Sequence, residues 1–122
     1  NADVNAAKQD NSTALFFAAQ EGHESVVELL LDRNADVNAA KQDNSTALYS
    51  AASRGHESAV GLLLDRGALI NAATTSNSTP LHIAASRGHE TVVGLLLERG
   101  ADTGIVSVPS LLGIAVVGGL KY

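Results

Sequence analysis

Hydrophobic positions along this chain alternate between two textures, alanine-rich stretches and denser leucine-rich ones, with polar turns between them. The alanine pairs are Ala18 and Ala19, Ala51 and Ala52, Ala84 and Ala85; the leucine runs are Leu29 to Leu31, Leu62 to Leu64 and Leu95 to Leu97. The stretch from Thr46 predicts the elements. Thr46 is a good N-cap for a helix carrying Ala47, Leu48, Ala51 and Ala52, and Gly55 supplies the left-handed residue that ends it. Glu57 then opens a second helix at the positive end of its dipole. Val60 and Leu62 to Leu64 fill a wide apolar face, Arg66 sits at the negative end, and Gly67 stops the helix. The same stop position holds Asn34 and Gly100, and asparagine is the common alternative to glycine where φ is positive.

Helices this short are marginal alone, because nucleation is costly and few hydrogen bonds offset it. The leucine runs cover too much of the circumference for one contact, so each second helix is expected to pack on its own partner and on units to either side. The alanines let the first helices approach closely. Gly61 and Gly94 interrupt the second helices at a cost of about 1 kcal/mol each relative to alanine. Close packing and weak selection are both open as reasons.

The pattern is a repeat. Residues 1–15 recur letter for letter as 34–48, the unit 1–33 matches 34–66 at 27 of 33 positions, and 34–66 matches 67–99 at 21. A period of this size signals a solenoid or propeller built from one supersecondary unit stacked on itself. Such an array buries its core between neighbours and presents a surface instead of an enclosed interior. The remaining residues, 100–122, break the period. Ser110, Leu112, Ile114, Ala115 and Gly119 align with Thr79, Leu81, Ile83, Ala84 and Gly88 if the preceding turn is shorter, which reads as a partial fourth unit covering the third. Completion by a further helix in a parent protein is the alternative. The opening inside a turn region, without an initiator methionine, reads as a segment cut from a longer array, and residues 1–122 read as a single domain.

A composition 45% hydrophobic and 17% charged lies outside the disordered regime. It is that of an intracellular, cytoplasmic module, although the absence of cysteine leaves the redox compartment open. No basic cluster precedes an apolar run, so no signal peptide is read, and Leu111 to Val117 is too short to span a bilayer. The net charge of −5 argues against a nucleic-acid binder. By unit the net charge runs −4, −1, 0 and 0. Either this is drift on a solvated surface, or the first unit faces a basic partner.

Hidden chemistry finds little support. His23, His56 and His89 are equivalent, but successive units are offset by roughly 10 Å, a helix diameter, whereas zinc ligands lie about 2 Å from the metal. Pairing of each histidine within its own interhelical turn is the better reading, with no metal and no cofactor. His23, Ser25 and Glu24 recur as near-identical sets, unlike a unique catalytic pocket, and no glycine-rich phosphate loop is present. Asn11, Asn44 and Asn77 each head an Asn-Ser-Thr acceptor triplet, already explained by turn and cap.

Thr79, Pro80, Leu81, His82, Ile83, Ala84 and Ala85, followed by Gly88, His89, Val92, Val93, the leucine run, Gly100 and Ala101, resemble an ankyrin repeat, and the earlier units share the pattern. The resemblance implies an all-α solenoid of stacked antiparallel helix pairs with protruding β-turn or hairpin fingers, used mostly to bind other proteins. Ala14 and Ala47 stand where the third unit has Pro80, a mild loss. Phe16 and Tyr49 replace His82, which in the family helps tie the turn, so the first two turns are expected to be looser or to use these rings as contacts.

The first two units differ at six places: Phe16/Tyr49, Phe17/Ser50, Gln20/Ser53, Glu21/Arg54, Val26/Ala59 and Glu28/Gly61. Four cluster on the first helix. By resemblance, the contact positions are the fingers and the exposed end of that helix. These are Gln9, Asp10, Ser12, Gln20 and Glu21; Gln42, Asp43, Ser45, Ser53 and Arg54; and Thr75, Ser76, Ser78, Ser86 and Arg87. Phe17 joins them as a candidate, with Ile83 open between contact and core. The expectation is a non-catalytic scaffold for an unidentified protein, without nucleic acid or membrane. The alternative is a structural spacer or a self-association segment, motivated by apolar Val26, Val27 and Leu29 on an uncapped first unit.

Overall fold

The computed structural model describes residues 3–9 and 12–103. Over these the chain forms three helix pairs: α1 (Ala14–Gln20) with α2 (Glu24–Asp32), α3 (Ala47–Ser53) with α4 (Glu57–Asp65), and α5 (Pro80–Ser86) with α6 (Glu90–Glu98). Isolated antiparallel bridges, Ala7 with Thr13 and Ala40 with Thr46, close the first two fingers. The all-α solenoid is as expected. Asp10, Asn11 and the proposed partial unit beyond Thr103 lie outside the described residues.

Local chemistry sets the helix ends. The hydroxyls of Thr13, Thr46 and Thr79 accept the backbone N–H of Phe16, Tyr49 and His82 at 3.1–3.2 Å, a cap worth about 1 kcal/mol. Each first helix ends where the N–H of His23, His56 or His89 returns to the carbonyl of Ala18, Ala51 or Ala84. Asn34 has a φ of 71° and stops α2 as Gly67 and Gly100 stop α4 and α6.

The first helices form one row and the second helices another, each helix touching its own partner and the equivalent helices of adjoining units. Leu15, Leu48 and Leu81 from the first row meet Val27, Val60 and Val93 from the second, all buried. Ala19, Ala52 and Ala85 are buried between them, which fits their small size. Leu63 and Leu96 are fully enclosed, whereas their counterpart Leu30 is half-buried, since no described unit precedes it. Val27 is a correction to the sequence reading: it faces α1 and the core, so the exposed apolar residues of the starting face are Val26 and Leu29.

Polar side chains join one unit to the next. Oδ1 of Asn5, Asn38 and Asn71 accepts the N–H of Asp36, Leu69 and Asp102 at 2.7, 2.8 and 2.9 Å. Arg66 pairs with Asp32, and Arg99 with Asp65. The histidines also work between units. Nε2 of His56 lies 2.9 Å from the Gln20 carbonyl, and that of His89 lies 3.0 Å from the Ser53 carbonyl. A carbonyl only accepts, so each Nε2 carries the proton. This corrects the pairing expected within the turn, and His23, with no described unit before it, is exposed. The rings of His56 and His89 rest on Gly22 and Gly55, where an added Cβ would come within 2.6 and 2.7 Å of them. Glycine is required there twice over, because φ is also +72° and +75°.

Candidate functional site

Three fingers and the ends of the first helices build one face. Each finger closes through a backbone bond, from Lys8 to Ser12, Lys41 to Ser45 and Thr74 to Ser78. Asn44 and Asn77 take the left-handed position at φ 66° and 65°. In the second finger Asp43 accepts both the Ser45 hydroxyl, at 2.6 Å, and the Ser45 N–H, at 3.0 Å. These two bonds, with Lys41 nearby, hold the Asp43 carboxyl below its ordinary value against a smaller opposing effect of burial. In the third finger Ser76 replaces that aspartate. There the Thr74 hydroxyl accepts the Ser78 N–H at 3.3 Å and lies 3.1 Å from the Ser76 hydroxyl.

The fingers are tied to one another as well. The Gln42 side chain donates to the Gln9 carbonyl at 3.1 Å, and the Thr75 N–H donates to the Asp43 carbonyl at 2.9 Å. Tyr49 donates its hydroxyl to Ser78 Oγ at 3.1 Å. Phe16 is buried with the Lys41 ammonium 4.9 Å above its ring, and Phe17 stacks edge-on against it beneath Lys8. Where the sequence implied looser turns, these contacts supply other ties. His82 Nδ1 is buried without a hydrogen-bond partner among the described residues.

Between fingers and helices lies a shallow groove of about 250 Å³, lined by Phe16, Gln20, Tyr49, Ser50, Ser53, Arg54 and Arg87 on the helix side and by Lys41, Asp43 and Ser45 on the finger side. Of the predicted contact residues it brings together Gln20, Asp43, Ser45, Ser53, Arg54 and Arg87. Gln9, Gln42, Thr75 and Ser76 are exposed on the fingers, and Ser78 is half-buried against Tyr49. Glu21, Ser86 and Phe17 are exposed on the first-helix side. Ile83 is half-buried. Ser12 and Ser45 are only 2% and 5% exposed, because both are folded into the bases of their fingers, where Ser45 still lines the groove. Lys41 and Ser50 were not among the expected contacts, while Phe16 and Tyr49 were expected either to leave looser turns or to serve as contacts. Three of them stand at positions where the first two units differ, a signal present in the sequence; Lys41, identical to Lys8, gave none.

The acidic residues of the first unit do not share one face. Glu24 and Glu28 line a depression on the outer side with Asp65, and Asp32 is paired with Arg66. Among the described residues no group of three histidine, aspartate or glutamate side chains is placed to hold a metal ion. No described helix is long and apolar enough to cross a membrane.

Stacked helix pairs, fingers and bonds repeating from unit to unit define a helical-repeat solenoid, whose working part is an extended surface. A family model described as ankyrin repeats (3 copies) matches residues 34–107, and a second, described as ankyrin repeat, matches residues 10–42. The chain belongs to the ankyrin repeat family. No curated protein matches the chain. Ankyrin repeats are generally protein–protein interaction modules and are typically non-catalytic.

Proposed function

We propose that this chain is a non-catalytic scaffold that binds a protein partner through the groove and the adjoining finger tips. The observation carrying this reading is that the groove is lined by the positions at which two near-identical units diverge, Phe16/Tyr49 and Gln20/Ser53, beside Arg54. Random peptides displayed on phage, selected on the intact chain, supply the test. Their binding should fall when Gln20, Glu21 and Arg54 are replaced together by alanine, and should persist when Glu24 and Glu28 on the outer face are replaced. Equal binding to both variants would remove the groove from the proposal. The same reading takes residues 1–122 as one domain of a cytoplasmic protein.

A second reading, self-association through the first unit, is favoured by one observation. Val26 and Leu29 are 44% and 52% exposed, whereas Ala59 and Val92, which correspond to Val26, are buried. Among the described residues no unit covers this surface, which is suited to another unit. Light scattering over a wide concentration range should show growing mass if it operates, and a constant monomer mass counts against it.

A further inference from the structure

We infer that the groove selects an acidic protein segment, bound in the polyproline II conformation, with carboxylates spaced three residues apart. The inference rests on the reading of the groove as the protein-binding face. Arg54 and Arg87 occupy the same place in successive units, are exposed, and line the same groove. Among the described residues neither guanidinium takes part in an ion pair, in contrast to Arg66 and Arg99, which are engaged with Asp32 and Asp65. The Lys41 ammonium lies over Phe16 and near the Asp43 carboxylate, so these two charges offset each other and the arginines set the sign of the wall. The one carboxylate there, Asp43, already accepts two bonds from Ser45.

The fold does not demand arginine at this place. Glu21, Arg54 and Arg87 all serve as C-caps of their first helices, so a carboxylate fills the structural role equally. A chain of net charge −5 therefore carries a positive groove, while the outer depression is lined by Glu24, Glu28 and Asp65 with no cation. Successive units are offset by roughly 10 Å, the width of a helix. A peptide in the polyproline II conformation advances about 3.1 Å per residue and brings every third side chain back to the same face. Carboxylates three residues apart thus meet both guanidiniums, each of which offers a fork of donors matched to a carboxylate. Glu21 gives the row a direction, since the partner residue opposite it must not be acidic. A net of two positive charges on an acidic chain is a poor match to the dense charge of a nucleic-acid backbone.

The test uses the intact chain and random dodecapeptides displayed on phage. Selected sequences are then made as labelled peptides and measured by fluorescence anisotropy. Enrichment of aspartate or glutamate at three-residue spacing is expected. R54A/R87A should weaken those peptides by about tenfold, the loss of two partly exposed charge pairs; R54E/R87E should weaken them further, and added salt should act in the same direction. E21R should tighten them. Both arginines are exposed, so the spectrum and unfolding midpoint of the variants should match the parent. Selected peptides without acidic enrichment that still lose binding on Tyr49→Ala would overturn the charge inference and leave the protein-binding groove standing. Peptides indifferent to every groove variant would overturn both. Tighter binding of polyuridylate RNA through the same arginines would overturn the choice of partner.

Discussion

Replacing Gly61 by alanine should stabilise the domain. Gly61 lies inside α4, where glycine costs about 0.8–1.0 kcal/mol relative to alanine because its backbone loses more freedom on folding. An added Cβ would find a single neighbour, Leu95 Cδ2 of α6, at 3.8 Å, which is ordinary van der Waals contact. The backbone already carries a larger side chain at this place, since Glu28 occupies it in α2. Nothing in the stacking of α4 on α6 therefore requires glycine, and the methyl adds a little apolar burial against Leu95. The net gain is about 1 kcal/mol, equivalent to a rise in Tm of about 4 °C for a chain of 122 residues. Urea unfolding followed by far-ultraviolet circular dichroism is the assay, with the gain read as a shifted midpoint at unchanged slope. A midpoint that stays put or falls would refute the reasoning and show that α4 and α6 need a closer approach than the structure gives.

Three further outcomes follow from the geometry. Gly22→Ala should destabilise by more than about 2 kcal/mol, combining left-handed strain with displacement of the His56 ring, and the same assay should show it; the added variant His56→Ala should relieve part of that loss. Leu63→Ala removes a fully buried side chain between three units and should cost about 2–5 kcal/mol, measured as ΔΔG of unfolding. The second finger should loosen in acid. Because the folded Asp43 carboxyl titrates below its ordinary value of 3.8, its contribution is present above that value and is lost as pH falls through the lowered one. The Ser45 amide resonance should report the change, and Asp43→Ala should abolish its pH dependence.

Elements governed by neighbours in sequence were legible before the structure. Threonine caps, the left-handed Asn34 and Gly55, and the alternation of alanine-rich and leucine-rich helices all depend on a few adjacent residues. What was missed depends on the offset between units. His56 and Asn5 find partners across a boundary that spacing within one unit does not reveal. The adjacent rings Phe16 and Phe17 diverge, one buried and one 39% exposed, and composition does not decide between them. The groove was half legible: divergence between the first two units marked Gln20, Ser53 and Arg54. The burial of a finger serine at its base, as at Ser12 and Ser45, is likewise not visible in the sequence.

The hydrogen bonds that link side chains of one unit to the next span between 29 and 36 residues. A longer array of such units would lengthen none of them. The entropy of closing each boundary would stay constant while relative contact order fell with length, so folding could spread from any unit instead of waiting for the chain ends to meet. Gain or loss of material in whole multiples of 33 residues would leave every surviving boundary in register, while an insertion of any other size would disturb only the boundary it enters.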